Sequence, residues 1–386
     1  MNVYLDNNST TPLIREVIER MNEVACLYGN PSSMHKSGTK TRDIVENARS
    51  RIAEAIGCQA EEIFFTSGGT EANNIAIQGY LRHTGKRHIV TSTIEHPSVL
   101  NTFRYLEKTG YEVSFVDVDE YGMVDKENLA SVLNEQTALV STMLANNEVG
   151  TIQPVRDIVD IVKSYSEKIA VHTDAVQAFG KLQLKTAELG ADMISFSAHK
   201  INGPKGVGAL YVKSGLGIEP VCFGGHQEKN MRPGTENIIG IAGFSKALEI
   251  NQKSFHAVNA RMKALKEKLK NALESGYQDI KINGHNESVL PNTLNVSFGG
   301  IEGESILMML DIKGIEVSTG SACSSGTPDP SPVLLAMGLD PVLARGSIRF
   351  SLGRDTTEAQ IDYVIENLKD IIGQLRNISP FDRTAQ

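Results

Sequence analysis

The chain has 386 residues, of which 40% are hydrophobic, so it can bury a large core, and its length favours two lobes over one compact domain. Its formal net charge is −8, and no run of lysine and arginine stands out. This pattern excludes the electrostatic footprint of a protein that binds DNA, RNA or an acidic membrane surface, so we expect small molecules or other proteins as partners.

Short runs of β-branched and aromatic residues alternate with helix-length segments over the first half of the chain. Such alternation predicts an α/β fold, in which apolar strands are buried on both faces of a mostly parallel sheet. The ligand site of such a sheet lies at the carboxyl ends of its strands, so the polar residues directly after each strand matter most. The predicted strands span residues 62–66, 88–92, 112–117, 138–144, 169–173 and 193–197.

The sequence changes character after about residue 236, where a long helical segment begins. Apolar residues from Val258 to Ala272 fall on one face of this segment, which predicts a helix that links two lobes. The remaining predicted elements are a strand at 295–298, a helix at 304–310, a Gly/Ser/Pro-rich loop at 318–332 and a final amphipathic helix at 361–375.

The four cysteines, Cys26, Cys58, Cys222 and Cys323, are scattered and form no CxxC pair. This spacing argues against a disulfide framework or a zinc site and favours a reducing compartment, so we predict a cytoplasmic protein without a resident metal. The first residues lack the basic and apolar regions of a secretory signal, and no stretch approaches the roughly 18 apolar residues of a membrane span. We therefore expect the chain neither to be secreted nor to cross a membrane.

Residues 67–73 read Ser-Gly-Gly-Thr-Glu-Ala-Asn, follow an apolar run and open a helix. A glycine such as Gly69 lets the backbone approach a phosphate closely, and the free N–H groups at a helix start favour an anion. The motif alone is weak evidence, because a glycine turn followed by a threonine such as Thr70 is also a routine junction between a strand and a helix.

Three later strand ends carry side chains that suit an aldehyde cofactor. Asp174 could pair with a protonated ring nitrogen, although an aspartate in this position also commonly caps a helix. Lys200 closes another apolar run, where nearby cations can lower the pKa of a lysine enough for it to react with an aldehyde, although most lysines are simply solvated. His96 is suited to stacking on an aromatic ring or relaying protons, although a lone histidine is more often structural. Together with the phosphate motif, these residues occur in the order that one such cofactor requires.

Motifs spread over nearly the whole chain match one group of enzymes. They are Tyr-Leu-Asp-Asn-Asn at 4–8, Gly-Asn-Pro-Ser-Ser-Met-His at 29–35, the helix start at Thr70, Glu-His-Pro at 95–97, Asn-Asn-Glu-Val-Gly at 146–150, Asp-Ala-Val-Gln at 174–177, Ser-Ala-His-Lys at 197–200, Arg-Pro-Gly-Thr at 232–235, Ser-Ala-Cys at 321–323 and Ile-Arg-Phe-Ser at 348–351. On these residues the chain resembles class V aminotransferase-fold enzymes and, within them, the cysteine desulfurases of the NifS/IscS type.

The resemblance implies the fold of pyridoxal-phosphate-dependent transferases like aspartate aminotransferase. A mostly parallel central sheet would lie in a large cofactor-binding domain at residues 15–255. Residues 1–14 and 256–386 would form a smaller α+β domain, which carries the loop with Cys323.

The resemblance also implies a pyridoxal 5′-phosphate cofactor bonded to Lys200, with His96 stacked on its ring and acting in catalysis and Asp174 paired with the ring nitrogen. The other implied cofactor contacts are Gln177 and Asn147 near the phenolic oxygen, and Gly69, Thr70, Ser197 and His199 at the phosphate, joined by Thr235 from the second subunit of a homodimer. The implied contacts with the substrate are Arg349, which would clamp its carboxylate, and Asn8 and Asn30.

By the same resemblance, Cys323 is the nucleophile that takes sulfur from L-cysteine as a persulfide and leaves L-alanine. A thiol on a flexible loop suits both the attack and the later delivery of sulfur, although loop composition alone does not exclude an inert cysteine. The expected acceptor is an iron–sulfur scaffold of the NifU/IscU type or another sulfur carrier, and Cys323 is a candidate ligand of a transient iron–sulfur cluster. We expect the other three cysteines to be small buried side chains.

Two alternatives stay open. A class V aminotransferase or a selenocysteine lyase would share the cofactor residues without needing the Cys323 loop. A sulfur-carrier or assembly component would keep the cofactor only as a structural group and would show no turnover with cysteine. The polar tail at 377–386 shows little match to the docking tail of IscS-type members, so the sequence does not name the acceptor.

Overall fold

The computed structural model describes residues 1–319 and 330–378. Its strands are β1 (Val3–Tyr4), β2 (Ile63–Thr66), β3 (His88–Ser92), β4 (Glu112–Val116), β5 (Thr137–Ser141), β6 (Ala170–Asp174), β7 (Met193–Ser197), β8 (Gly208–Val212), β9 (Ile280–Asn283), β10 (Thr293–Phe298), β11 (Ile315–Glu316) and β12 (Ser347–Ser351). Its α-helices are α1 (Arg15–Ala25), α2 (Lys36–Ile56), α3 (Gly69–Asn74), α4 (Tyr80–His83), α5 (Pro97–Lys108), α6 (Lys126–Val132), α7 (Val155–Tyr165), α8 (Thr186–Leu189), α9 (Ile238–Gly276), α10 (Gly303–Ile312), α11 (Pro332–Ala336), α12 (Pro341–Arg345) and α13 (Glu358–Ile378).

The central sheet has the strand order β2-β8-β7-β6-β5-β3-β4. All neighbouring pairs are parallel except those of β8, which runs antiparallel to both β2 and β7. The predicted α/β fold with a mostly parallel central sheet is therefore confirmed. Strand β8 had no counterpart among the predicted strands, because it begins at Gly208 within a glycine-rich stretch that reads as a turn.

Both faces of the central sheet are buried, as a parallel sheet covered by helices requires. Successive residues of β2 point to opposite faces: Phe64 packs into one apolar cluster with Val99 and Phe103 of α5, and Phe65 packs into another with Phe244 of α9. A shift of one residue would turn every apolar side chain to the other face, so this alternation fixes the register of the strands.

A second apolar core surrounds the antiparallel sheet of order β12-β10-β9. Leu269 of α9 and Leu368 of α13 are fully buried in it, together with Val296 of β10 and Phe350 of β12. The 39-residue helix α9 packs with α1 and α2 in its first half and enters this second core in its second half, which confirms the predicted linking helix. The domain boundaries at residues 14/15 and 255/256 stay a prediction.

Candidate active site

A cavity of about 280 Å³ lies at the carboxyl ends of the central strands, and most of the predicted site residues line it. Strands that run parallel end at the same edge of a sheet, which is why motifs far apart in the chain meet here. The predicted residues in its walls are Asn8, Gly69, Thr70, His96, Asn147, Asp174, Gln177, Ser197, His199, Lys200 and Arg349.

Lys200 follows β7 in a short 3₁₀ turn at Ala198–Lys200, and its ammonium points at the N-terminal segment of the chain. Its Nζ donates hydrogen bonds to the backbone carbonyls of Ser9, at 2.8 Å, and of Asn8. The Asn8 carbonyl also accepts a hydrogen bond from Gln177 Nε2 at 2.8 Å. The lysine is therefore held by neutral backbone oxygens at the wall of the cavity, where an aldehyde can reach it.

The carboxylate of Asp174 is fixed at the end of β6 by two donors. Its Oδ1 accepts from the backbone N–H of Val176 at 2.9 Å, and its Oδ2 accepts from Asn73 Nδ2 at 2.7 Å. The same Asn73 amide lies 2.8 Å from Ser98 Oγ, which is 2.8 Å from Nδ1 of His96. A hydrogen-bond network thus links the two groups that were predicted to contact the pyridine ring.

His96 caps the start of α5, where its Nδ1 accepts the backbone N–H of Ser98 at 3.1 Å. Burial lowers the pKa of His96, and the positive charge of Lys200 lowers it further against the opposite effect of Asp174. The ring is therefore neutral at pH 7, with its proton on Nε2, since Nδ1 is the acceptor. A neutral imidazole is suited to stacking on an aromatic ring and to taking up a proton.

The walls of the cavity also contain the donors that a phosphate needs. Ser197 Oγ is buried and has no hydrogen-bond partner among the described residues. The backbone at Gly69 lies close to Val176, since a Cβ at Gly69 would be 2.6 Å from Val176 Cγ2. Thr70 is exposed at the rim of the cavity. Burial, followed by the charges of Lys200 and other cations, lowers the pKa of His199 to about 4. An unpartnered buried hydroxyl beside a glycine turn fits the phosphate ester of the predicted cofactor.

Arg349 reaches the cavity from β12 of the small sheet and is 3% exposed. Its guanidinium donates to the Asn147 carbonyl at 3.0 Å, to Asp6 Oδ1 at 2.6 Å and to Ser9 Oγ at 2.8 Å. Its Nε is buried and has no partner among the described residues. A planar donor fork in the wall of the cavity is suited to binding a carboxylate.

Of the two adjacent asparagines, the structure places the preferred Asn147 in the cavity wall. Asn146 instead stabilises the turn: its Oδ1 accepts the backbone N–H groups of Glu148 and Val149, and its Nδ2 donates to the Ile94 carbonyl. Asn146 is therefore a structural residue.

Comparisons with known proteins agree with this geometry. The family described as aminotransferase class-V matches residues 3–364. A protein named cysteine desulfurase IscS from Dictyoglomus turgidum is 47% identical over 382 residues, which cover 98% of this chain and 96% of that protein. Cysteine desulfurase IscS 1 from Archaeoglobus fulgidus is 44% identical over 384 residues, with 98% and 99% covered. A solved structure described as a NifS-like protein has a TM-score of 0.92 and 41% identity, and covers 97% of this chain and 100% of its own. The chain belongs to the cysteine desulfurases of the class V aminotransferase family.

Two predicted site residues of this cysteine desulfurase family member, Asn30 and Thr235, are absent from the described walls of the cavity. Asn30 is exposed, and its Oδ1 accepts the backbone N–H of Ser32 at 2.9 Å. Thr235 is also exposed; its predicted role is on the cofactor of a second subunit, which one chain does not test. Cys323 lies outside the described residues.

The predicted burial of the other cysteines is wrong for Cys26 and Cys222, whereas Cys58 packs against the apolar core in part. Cys26 and Cys222 are exposed, and Cys58 is half-buried. Cys26 follows the last turn of α1 on its solvent side, and Cys222 lies in an irregular segment without a strand or helix to bury it. Apolar neighbours in the sequence did not indicate which side of the chain faces the core.

The cavity and its surroundings also contain polar residues that were not predicted, among them Asp6, Asn73, Ser98 and Lys181. Asn73 lies one helical turn after Thr70, so helical spacing was a signal for it. Lys181 lies in a turn outside the helices and had no such signal. Asp6 stands within a matched motif but had no assigned role. In the part of the chain that the structure describes, no group of three or more His, Cys, Asp and Glu residues could hold a metal ion, and no helix is long and apolar enough to cross a membrane.

Proposed function

We propose that this chain is a pyridoxal 5′-phosphate-dependent cysteine desulfurase, which converts L-cysteine to L-alanine and holds the released sulfur on Cys323 as a persulfide. The observation that carries the proposal is the convergence of Lys200, Asp174 and Arg349 on one cavity of about 280 Å³. These residues supply an amine for the cofactor aldehyde, a carboxylate for its ring nitrogen and a guanidinium for the substrate carboxylate.

The cofactor, when bound, supplies an electron sink for the substrate carbon that loses its proton. Lys200 would bind the aldehyde, and the carboxylate of Asp174, fixed by Asn73, would pair with the ring nitrogen. His96 would stack on the ring, and Gln177 would donate to the phenolic oxygen, with Asn147 close by. Gly69, Thr70, Ser197 and His199 would bind the phosphate.

Arg349 orients the substrate by binding its carboxylate, and Asn8, in the same cavity wall, contacts it. Lys200 and His96 share the proton transfers at the α-carbon, since both are positioned acid–base groups at the cavity wall. The pKa of His96 lies below its ordinary value because of burial, so its ring can accept a proton at neutral pH.

Cys323 attacks the sulfur of the bound cysteine as a thiolate. The carbon–sulfur bond breaks, its electron pair stays with carbon, and that carbon takes up a proton and leaves as part of alanine. The sulfur atom forms a new bond with Cys323, which becomes a persulfide. A second thiol of an acceptor protein can then take the sulfur by exchange.

The same proposal includes the partners. The acceptor is an iron–sulfur scaffold of the NifU/IscU type or another sulfur carrier, with Cys323 as a transient cluster ligand during delivery. The active form is a homodimer in which Thr235 completes the phosphate site of the second subunit. The cytoplasmic location stays a prediction from the scattered cysteines.

An alanine assay with matched cysteine variants tests the function. We expect the purified protein with added cofactor to release alanine from cysteine, and Cys323→Ala to lose this activity while Cys26→Ala, a change of an exposed cysteine, keeps it. If Cys323→Ala released sulfide at the parental rate under reductant, the assignment of Cys323 as the nucleophile would be wrong. Amino transfer to a keto acid in place of sulfide release would identify an aminotransferase.

A further inference from the structure

A second buried lysine, Lys181, lies close behind Lys200. It is 8% exposed and stands in the turn that follows β6. The preceding Gly180 has φ +76°, and a Cβ there would lie 2.5 Å from Ile201 Cγ2. This close approach, which only glycine permits, turns the chain so that Lys181 enters the interior.

Among the described residues, the ammonium of Lys181 binds only neutral oxygens. It donates to the backbone carbonyl of Gln177 at 3.1 Å and to the side-chain Oε1 of Gln177 at 3.0 Å. Within residues 1–319 and 330–378 it forms no ion pair. Buried charges are ordinarily paired with an opposite charge, because desolvation is costly. A buried lysine without a carboxylate partner lowers the stability of the fold, so Lys181 is a candidate for a functional role.

A chain of hydrogen bonds connects the two lysines. Because Lys181 has only donors, it takes Oε1 of Gln177 and turns Nε2 of that amide toward the Asn8 carbonyl, 2.8 Å away. The Asn8 carbonyl also accepts from Nζ of Lys200. Lys181 therefore fixes the side-chain amide that was predicted to contact the cofactor, at a site next to the reactive amine.

The charges around Lys181 are mostly of its own sign. Burial, followed by the positive charges of Lys200 and Arg349, lowers the pKa of Lys181 to about 7. Lys181 in turn contributes to the lowered pKa of His199. A second cavity, of about 40 Å³, is lined by Lys181, Lys200 and Arg354, with neutral residues from α9. This space can hold a water molecule beside the ammonium.

We propose that Lys181 is a positioning residue whose positive charge, held in place by Gln177, makes the nitrogen of Lys200 release its proton more readily. A nearby positive charge disfavours a second one, so loss of the proton from Lys200 leaves the charge on Lys181, and Lys200 can attack the cofactor aldehyde as a free amine. The inference rests on the proposed function and names a further residue of the same site.

Absorption titrations without substrate test the inference. Lys181→Met removes the charge and the hydrogen bond, Lys181→Gln removes the charge but keeps a donor, and Lys185→Met changes an exposed lysine as the control. We expect the pH midpoint of the visible band of the Lys200-bound cofactor to rise by about one unit in both Lys181 variants and to stay unchanged in Lys185→Met. The melting temperature of both Lys181 variants should hold or rise, since an unpaired buried charge has been removed.

The outcomes separate this inference from the proposed function. A wild-type protein that gains no visible band with the cofactor would end the proposed function itself. A normal band with the same pH midpoint in the wild type and in all three variants would overturn only the role of Lys181. The role would also fall if Lys181→Gln matched the wild type while Lys181→Met differed, because the hydrogen bond and not the charge would then be acting. If Lys181→Met does not fold, the midpoint of Lys181→Gln alone decides.

Discussion

The central parallel sheet and the small antiparallel sheet contribute to the cavity in different ways. The ends of the central strands supply many side chains, among them His96, Asp174 and Lys200. The small sheet, with an apolar core of its own, supplies Arg349 from β12. The residues proposed for the cofactor and the residue proposed for the substrate carboxylate therefore rest on separately packed layers.

This difference teaches that the two halves of the site can be altered independently. Residues of the central sheet should decide whether the cofactor binds and reacts. Arg349, held against Asp6 and the Asn147 carbonyl, should decide how well the substrate is bound once the cofactor is in place. The following variants test whether these two contributions separate.

The largest effect is expected for Lys200→Ala. Without its amine the protein cannot form the covalent link to the cofactor, so the visible absorption band should disappear and kcat should fall by roughly a thousandfold or more. Lys205→Ala, which changes an exposed lysine five residues further along, serves as the control and should keep the band. A normal band in Lys200→Ala would place the cofactor on another lysine.

A smaller but still large loss is expected for Asp174→Asn. The amide keeps the shape of the carboxylate but not the negative charge proposed to hold a proton on the ring nitrogen, so kcat should fall about a hundredfold. The KM for cysteine should change little, because Arg349 is untouched. Steady-state kinetics of the cofactor-loaded protein measure both values. An unchanged kcat would mean that Asp174 acts only in the local hydrogen-bond network.

Arg349→Lys should affect the substrate and spare the cofactor. The substitution keeps one positive charge but loses the planar fork, so we expect the KM for cysteine to rise about tenfold with an unchanged visible band. This pattern is the opposite of that expected for Asp174→Asn. Loss of the band in Arg349→Lys would show that the two layers are not independent.

The smallest effect concerns the stability of the central sheet. Burial raises the pKa of Glu95 to about 8, far above its ordinary 4.5. The folded state therefore keeps a proton that the unfolded chain loses, and the stability from this group is present below about pH 4.5 and lost as the pH rises towards 8. Glu95→Gln cannot titrate at this position. The melting temperature of the variant should therefore increase relative to that of the wild type as the pH rises from 5 to 8.

Glu61→Gln, a change of an exposed glutamate, is the matched control for this series. Its melting temperature should follow that of the wild type at every pH. A constant difference between Glu95→Gln and the wild type from pH 5 to pH 8 would contradict a protonated Glu95.

The sequence was sufficient to predict the parts of the site that lie directly after strands. Asp174, Ser197 and Lys200 occupy strand ends that apolar runs had marked, and the parallel sheet brings those ends together. The predicted strands agree with the observed ones within a few residues, because a buried strand is a continuous apolar run.

The remaining features depend on contacts between distant segments. Lys181 matters because the turn at 177–181 lies against Asn8 and within reach of the charges of Lys200 and Arg349, and no local pattern reports that proximity. Asp6 acquires its partner from β12, 343 residues away in the chain. Exposure of Cys26 and Cys222 likewise depends on which side of a segment meets the core.

Peptide mass spectrometry of the cofactor-loaded protein after brief treatment with L-cysteine tests the central claim most directly. The account predicts one added sulfur atom on the peptide that contains Cys323, none on the peptides of Cys26, Cys58 and Cys222, and alanine formed in an equal amount. Alanine formation without added sulfur on Cys323, or with the sulfur on another cysteine, would contradict it.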